Sequence, residues 1–233
     1  MAVVSQTRRP ATIVYPESDG KPMAETDTHR EQMIYLIHAL NDRYRDDPQV
    51  YVSGNLLIYY EEGDPRKVIA PDTFVVFGVP KRKRRVYKIW EERKTLDVVF
   101  EITSKKTRRK DIKEKWAVYA QLSVQEYFLF DPLEEYLKPP LQGYRLVGGV
   151  YLPIGPESAS DGDVAVRSEV SGVVIRREGS WPILYDAQTG ERLLTSEEVQ
   201  AARRQAETHA RQAEEEVQRL KVELERLLQS RGK

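Results

Sequence analysis

Residues 96–120 read LDVVFEITSKKTRRKDIKEKWAVYA, and this stretch decides the fold. Leu96–Ile102 is an apolar run of strand length, and within its Val98–Ile102 stretch stands a carboxylate, Glu101. Runs of this kind belong to sheets covered on both faces. Ser104–Lys110 is polar and basic. A helix starts about there and runs through Ala120, with Ile112, Trp116 and Tyr119 as its packed face. Glu126–Phe130 is a second buried strand, ended by Asp131-Pro132. A strand, a basic link, a helix and another strand predict an α/β core.

Upstream, Val50–Val52, Asn55–Tyr60, Val68–Asp72, Thr73–Phe77 and Tyr87–Trp90 read as strand-like runs, with a turn at residues 61–65. Before them, Asp27 or Thr28 could cap a helix through residues 29–40, whose Met33, Ile34, Ile37 and Leu40 share one face. Residues 1–22, with Pro10, Pro16 and Pro22 and no period, read as a loose arm. Downstream, short apolar runs between Tyr144 and Leu184 alternate with Gly and Pro, as in a β meander. The last segment differs in kind. Val199, Arg203, Ala206, Ala210, Ala213, Val217, Leu220, Leu224 and Leu227 are spaced four and three residues apart in turn, the seam of a coiled coil. The expected organisation is an arm (1–22), a globular domain (23–190) and a coiled-coil helix (195–230).

The composition excludes several classes. The chain has 233 residues and no cysteine, which removes disulfide scaffolds, thiolate metal sites and cysteine catalysis. Three histidines are too few for a His-rich zinc centre. No apolar run approaches the roughly 20 residues of a membrane helix, and the N-terminus lacks the apolar core of a signal peptide. A cytoplasmic protein without membrane contact is expected. Lys+Arg and Asp+Glu both number 37, but residues 81–115 hold 15 Lys and Arg against 6 Asp and Glu. That local excess suits a polyanionic partner.

Several residues could carry chemistry within that basic region or beside it. Pro71-Asp72 opens one apolar strand, Glu101 sits in another, and Asp111, Lys115 and Tyr119 follow at spacings of four on a helix. Singly, each has a bland reading. Glu101 could point to solvent by strand alternation. Asp72 could begin a strand, and the helical triple could be a solvated stripe with one ion pair. Together they suggest more. Two carboxylates from neighbouring strands can hold Mg²⁺, leaving water and phosphate oxygen to complete its octahedron. A lysine nearby can neutralise an attacked phosphate.

The order Pro71-Asp72, Val99-Phe-Glu101-Ile-Thr-Ser104, Thr107, Asp111, Lys115, Tyr119, Glu126-Tyr127, Asp131 resembles the Uma2 family of restriction-endonuclease-like proteins, in the PD-(D/E)XK nuclease superfamily. The likeness spans roughly residues 25–185. It implies a restriction-endonuclease-like core, a mixed central sheet flanked by helices, and Mg²⁺- or Mn²⁺-dependent hydrolysis of DNA. Asp72 and Glu101 would be the metal-binding acids. The superfamily lysine two residues after the second acid is replaced here by Thr103, and Lys115 would substitute for it from the helix. An acid on the first helix is expected at Glu31, with Glu25 behind it. Ser104 and Asp111 would position the loop and Lys115.

Lys81, Arg82, Lys83, Arg84 and Arg85 form one basic cluster; Lys105, Lys106, Arg108 and Arg109 form another, directly after Glu101. Both are expected to meet the DNA backbone. The C-terminal helix would pair two chains in a homodimer. A catalytically silent DNA-binding module and a coiled-coil interaction protein are the competing classes.

Overall fold

The apolar runs of the sequence become strands, and side-chain alternation gives the main sheet two buried faces. The computed structural model describes residues 13–18, 20, 26–104, 109–158 and 164–231. Two compact units divide the chain, residues 1–193 and 194–233. In order, the first unit holds α1 (Asp27–Arg43), β1 (Val50–Ser53), β2 (Ile58–Tyr59), β3 (Val68–Ile69), β4 (Thr73–Phe77), β5 (Tyr87–Lys88), α2 (Ile89–Glu92) and β6 (Val98–Ile102). A helix α3 follows, wound as a π-helix over Lys110–Lys115 and as an α-helix over Trp116–Gln121. Then come β7 (Glu126–Phe130), β8 (Leu141–Val147), β9 (Val150–Pro153), β10 (Glu157–Ser158), β11 (Val164–Ser168), β12 (Val173–Glu178) and β13 (Trp181–Asp186).

The central sheet has the order β1-β4-β6-β7-β8-β9. Only β6 and β7 run parallel, so the sheet is mixed, as expected. Val98, Phe100 and Ile102 of β6 join a core built with α1 and with β11–β13. Val99, between them, joins a second core with Tyr119 of α3 and with Ile58, Ile69 and Tyr87 of the small β3-β2-β5 sheet. Strand alternation puts Glu101 on this second face. Both faces of the sheet are therefore covered, and an outward turn of Glu101 into water is not available.

The expected meander is present but split. β8 and β9 extend the central sheet, whereas β10–β13 make a separate antiparallel sheet. Glu126 helps join them: its buried carboxylate accepts from Arg145 and from Ser168 Oγ on β11. Helix α1 also departs from expectation. Thr26 caps it, with Oγ1 accepting from His29 N at 3.2 Å. Gln32, Met33, Tyr35, Leu36, Ala39 and Leu40 are buried, while Ile34 is 41% exposed. The stripe is rotated from the expected one because α1 packs against both β1 and β13 and must bury a broad face.

The second unit contains α4 (Ser196–Arg231), 36 residues long. Thr195 and Glu198 cap it reciprocally: Glu198 N donates to Thr195 Oγ1 and Thr195 N donates to Glu198 Oε2. Val199, Val217, Leu220 and Leu224 of the heptad seam are about half exposed. No helix among the described residues is long and apolar enough to cross a membrane.

Candidate active site

The site forms where three elements end. β4 and β6 pair antiparallel with Thr73 opposite Phe100, so Asp72, one residue before β4, lies beside the end of β6. Asp72 Oδ2 accepts from Ile102 N at 2.8 Å, and Asp72 N donates to Glu101 Oε2 at 3.3 Å. The acids are thus tied through each other's backbone. Gly54 backs the same corner, since Asn55 N donates to Pro71 O at 2.8 Å.

Helix α3 supplies the rest. Lys115 Nζ lies 2.6 Å from Glu101 Oε2 and 3.4 Å from Asp111 Oδ1. Tyr119 OH donates to Glu101 Oε1 at 2.6 Å. In a regular α-helix, residues four apart drift by about 40° around the axis. The wider π turn over Lys110–Lys115 winds back against that drift, so Asp111, Lys115 and Tyr119 stay in line towards Glu101. Thr103 fastens the base of this line by donating to Asp111 Oδ2 at 2.8 Å, and its hydroxyl also meets Tyr136 OH. Tyr127 OH donates to Asp111 O at 3.0 Å.

The electrostatics are unusual for a fold interior. Three carboxylates, Asp72, Glu101 and Asp111, face one ammonium. Burial opposes ionisation of Asp72, but His29, Lys115 and the Ile102 N–H outweigh it and hold the carboxyl below its ordinary range. Burial pushes Glu101 up to about 8 against the attraction of Lys115, with repulsion from Asp72 and Asp111 adding to the rise. Burial also disfavours the Lys115 charge, yet the three carboxylates together keep it protonated well above the usual range.

With Glu101 ionised and the His29 imidazole neutral, three carboxylates against one ammonium leave two uncompensated negative charges among hard oxygen donors, of which Asp72, 13% exposed, reaches water. That donor set fits a divalent Mg²⁺-type ion, which takes few protein ligands and keeps its waters. Among the described residues no group of three or more His, Asp or Glu side chains is placed to hold a metal ion. Glu101 is fully buried with both oxygens engaged by Lys115, Tyr119 and Asp72 N, so an ion shared with Asp72 would have to displace one of these donors. Metal binding must displace the Glu101 proton. Each Mg²⁺ bound at pH 6.5 should therefore release about one proton, falling towards none above pH 9. Calorimetry in buffers of different ionisation heat measures this; proton-independent binding at low pH would remove Glu101 from the ligand set.

The same shifts fix how stability depends on pH. Glu101 is raised, so its contribution is complete below its ordinary value of 4.5 and drains away as pH rises through about 8. Asp72 is lowered, so its contribution is present above its ordinary 3.8 and is lost on acidification below that.

A family model described as "Uma2: Putative restriction endonuclease" matches residues 10–171, well over half the chain. The chain belongs to the Uma2 family. Among solved structures, a chain titled a putative nuclease belonging to DUF820, from Anabaena variabilis, is similar with a TM-score of 0.43 and 16% identity, over 60% of this chain and 76% of that one. No curated protein matches.

Within this Uma2 chain, Asp72, Glu101, Thr103, Asp111, Lys115 and Tyr119 come together, and half-buried Ser104 follows directly on Thr103. Glu31 does not join them; it is exposed on α1. The α1 residue that reaches the acids is His29, with Nε2 3.2 Å from Asp72 Oδ2. Sequence reasoning missed it. The available signal was a histidine three residues after a threonine cap, in the first turn of the helix preceding the acidic strands. Glu25, Lys105, Lys106 and Arg108 lie outside the described residues, and Arg109 is exposed before the π turn. Asp131 is a structural brace, accepting from Tyr136 N and Leu137 N.

The cluster at Lys81–Arg85 stands apart from the acids rather than beside them. It follows the far end of β4, and five strand residues put it about 17 Å from Asp72. Its charges are also engaged. Lys81 Nζ donates to Tyr44 O at 2.7 Å, Arg82 pairs with Glu92, and Arg85 pairs with Glu17. Arg84 is 2% exposed, clasps Glu92 through two nitrogens, and stacks 4.1 Å from the Tyr51 ring. Only Lys83 shows no partner among the described residues. Arg84→Ala should lower stability by about 3 kcal/mol, the order of a broken buried pair, while leaving DNA affinity within twofold. Thermal unfolding and fluorescence anisotropy would read the two. A large affinity loss in a fully stable variant would restore the phosphate-contact reading.

Proposed function

We propose that this Uma2 nuclease is a cytoplasmic, Mg²⁺- or Mn²⁺-dependent endonuclease that hydrolyses DNA phosphodiester bonds. The observation that carries the reading is the buried, excess-negative pair Asp72 and Glu101 facing Lys115, in a chain whose family is described by nuclease activity. Asp72 and Glu101 would hold the ion, which when bound supplies Lewis acidity at a phosphoryl oxygen and activates water. Tyr119 and Lys115 fix the Glu101 carboxylate from both oxygens. Lys115, kept protonated by its three carboxylates, would stabilise charge at the scissile phosphate. Asp111 and Thr103 hold Lys115 in line. Basic residues after Glu101, Arg109 among them, would track the backbone. The α4 seam would pair two copies of the chain, giving two active sites for two strands.

Supercoiled plasmid and a structured RNA, each incubated with Mg²⁺ and with Mn²⁺, test the proposal. Wild type should nick or linearise the plasmid. Asp72→Ala, Glu101→Ala and Lys115→Ala should remain folded and fail to do so. Activity retained by Lys115→Ala alone would keep the metal site and remove the lysine's role. Cleavage of RNA only would change the substrate. A wild type silent on both nucleic acids would favour a binding module on the same fold.

A further inference from the structure

We propose that α4 pairs with a second copy of this chain as a parallel, in-register coiled coil. This rests on the self-association proposed above and adds its orientation, which the charges flanking the seam decide. With Val199 at a d position, Arg203 and Val217 fall at a, and Ala206, Ala213 and Leu220 fall at d. Glu216 then occupies a g position and Lys221 the following e. In a parallel pair, each Glu216 faces Lys221 of the other copy, once on each flank, and no like-charged g–e pair arises anywhere along the seam. Antiparallel arrangements fare worse. The register with the fullest overlap makes two Glu207–Lys221 pairs but sets Glu214 against Glu214 and Glu216 against Glu216. One heptad step one way sets Glu207 against Glu214 twice, and a step the other way makes two Glu214–Lys221 pairs but opposes the glutamates at positions 216 and 223 twice, so each keeps like-charge contacts that the parallel form lacks on its flanks.

Two features of the helix fit the parallel form. Arg203, the one charge on the seam, pairs with Glu207 of its own helix at 2.8 Å, which draws the guanidinium off the axis. A polar residue at a single a position also serves to fix register. Glu216 contacts Arg219 at 2.7 Å, but both side chains are well exposed, and such a pair competes weakly with an interchain one. From Val199 to Leu227 the seam is about 43 Å long, and its Val217, Leu220 and Leu224 are about half exposed on the single helix. Parallel pairing brings both capping boxes at Thr195 to the same end of the coil.

The absence of cysteine makes the orientation directly readable. Full-length protein is first sedimented. Ala206→Cys, Ala213→Cys and Leu220→Cys, made singly in the full chain, are then oxidised and run on non-reducing gels. A dimer in which all three positions cross-link is the expected result, because identical d residues meet across a parallel axis. Cross-linking at one position only would mean that two chains pair but run antiparallel, overturning the orientation and sparing the pairing. A monomer with no cross-link at any position would overturn both. Glu216→Lys should weaken the dimer about tenfold, and adding Lys221→Glu should restore it. Failure of the double exchange to restore the dimer also counts against the parallel form.

Discussion

Replacing Lys115 with methionine should abolish cleavage and weaken the fold, whereas replacing Glu101 with glutamine should abolish cleavage and leave the fold intact. The contrast arises from the charge count. Lys115 is the cation that faces three buried carboxylates. Without it, Glu101 can stay neutral at pH 7 because its carboxyl is already pushed up to about 8, but Asp72 and Asp111 lose attraction. A loss of about 3 kcal/mol is expected, growing as pH rises and Glu101 is forced to ionise. Above pH 8, where Glu101 ionises, Glu101→Gln removes a like charge instead. Gln can turn its oxygen to Lys115 and the Asp72 N–H and donate its amide to the Tyr119 hydroxyl oxygen, so the variant's melting temperature at pH 9 should equal or exceed that of wild type, the behaviour of a functional residue held against stability. Both variants should lose about a thousandfold or more in cleavage. Melting curves at pH 6 and pH 9, with plasmid assays on the same samples, separate the two. A Glu101→Gln variant that unfolds far earlier than wild type would mark Glu101 as a structural ion-pair partner.

Gly54→Ala should reduce activity far more than its distance from the chemistry suggests. A Cβ at Gly54 would stand 2.0 Å from the backbone oxygen of Asp72 and 2.7 Å from Ile37 Cδ1. The isoleucine can rotate aside. The carbonyl cannot, so the residue carrying the first acid must move by at least about 1.4 Å, from 2.0 Å to the 3.4 Å where ordinary contact begins. Overpacking of this kind costs about 1–3 kcal/mol. Misplacement of a reacting group by about 1 Å costs roughly a hundredfold in rate. The variant should therefore remain folded, melt a few degrees lower and cleave about a hundredfold more slowly. Full activity in the folded variant would show that the Asp72 backbone is not what positions the site.

The central strands were legible because both faces of the sheet are covered, which turns β4, β6 and β7 into continuous apolar runs. The heptad of α4 was legible because it depends on local spacing alone. Helix α3 was read in part. Trp116 and Tyr119 pack as periodicity expects, but Ile112 is 36% exposed, and Asp111 and Lys115, which periodicity alone would read with Tyr119 as a solvated stripe, are buried. Two things defeated the rule. A carboxylate on the sheet face demanded a buried cation, which hydrophobic periodicity does not count. The π turn then changed the angular phase that the α-helical period assumes. The partners of the basic cluster at Lys81–Arg85 were hidden for a related reason: a run of charge in sequence says nothing of which carboxylates the fold will set beside it, and Glu92 and Glu17 come from other segments. His29 was hidden because its partner, Asp72, is brought to it only by tertiary folding.

The wide turn at Lys110–Lys115 also bears on how such a site can be remodelled by insertion and deletion. A lysine on the strand is locked to the pleat, and a one-residue slip turns it to the opposite face of the sheet. A lysine on a helix moves in smaller steps, because adding one residue to a turn rotates the remainder of the helix by a fraction of a circle and leaves the strand untouched. A single-codon insertion in α3 can therefore swing the ammonium towards the acids or away from them while the acid-bearing strands keep their register.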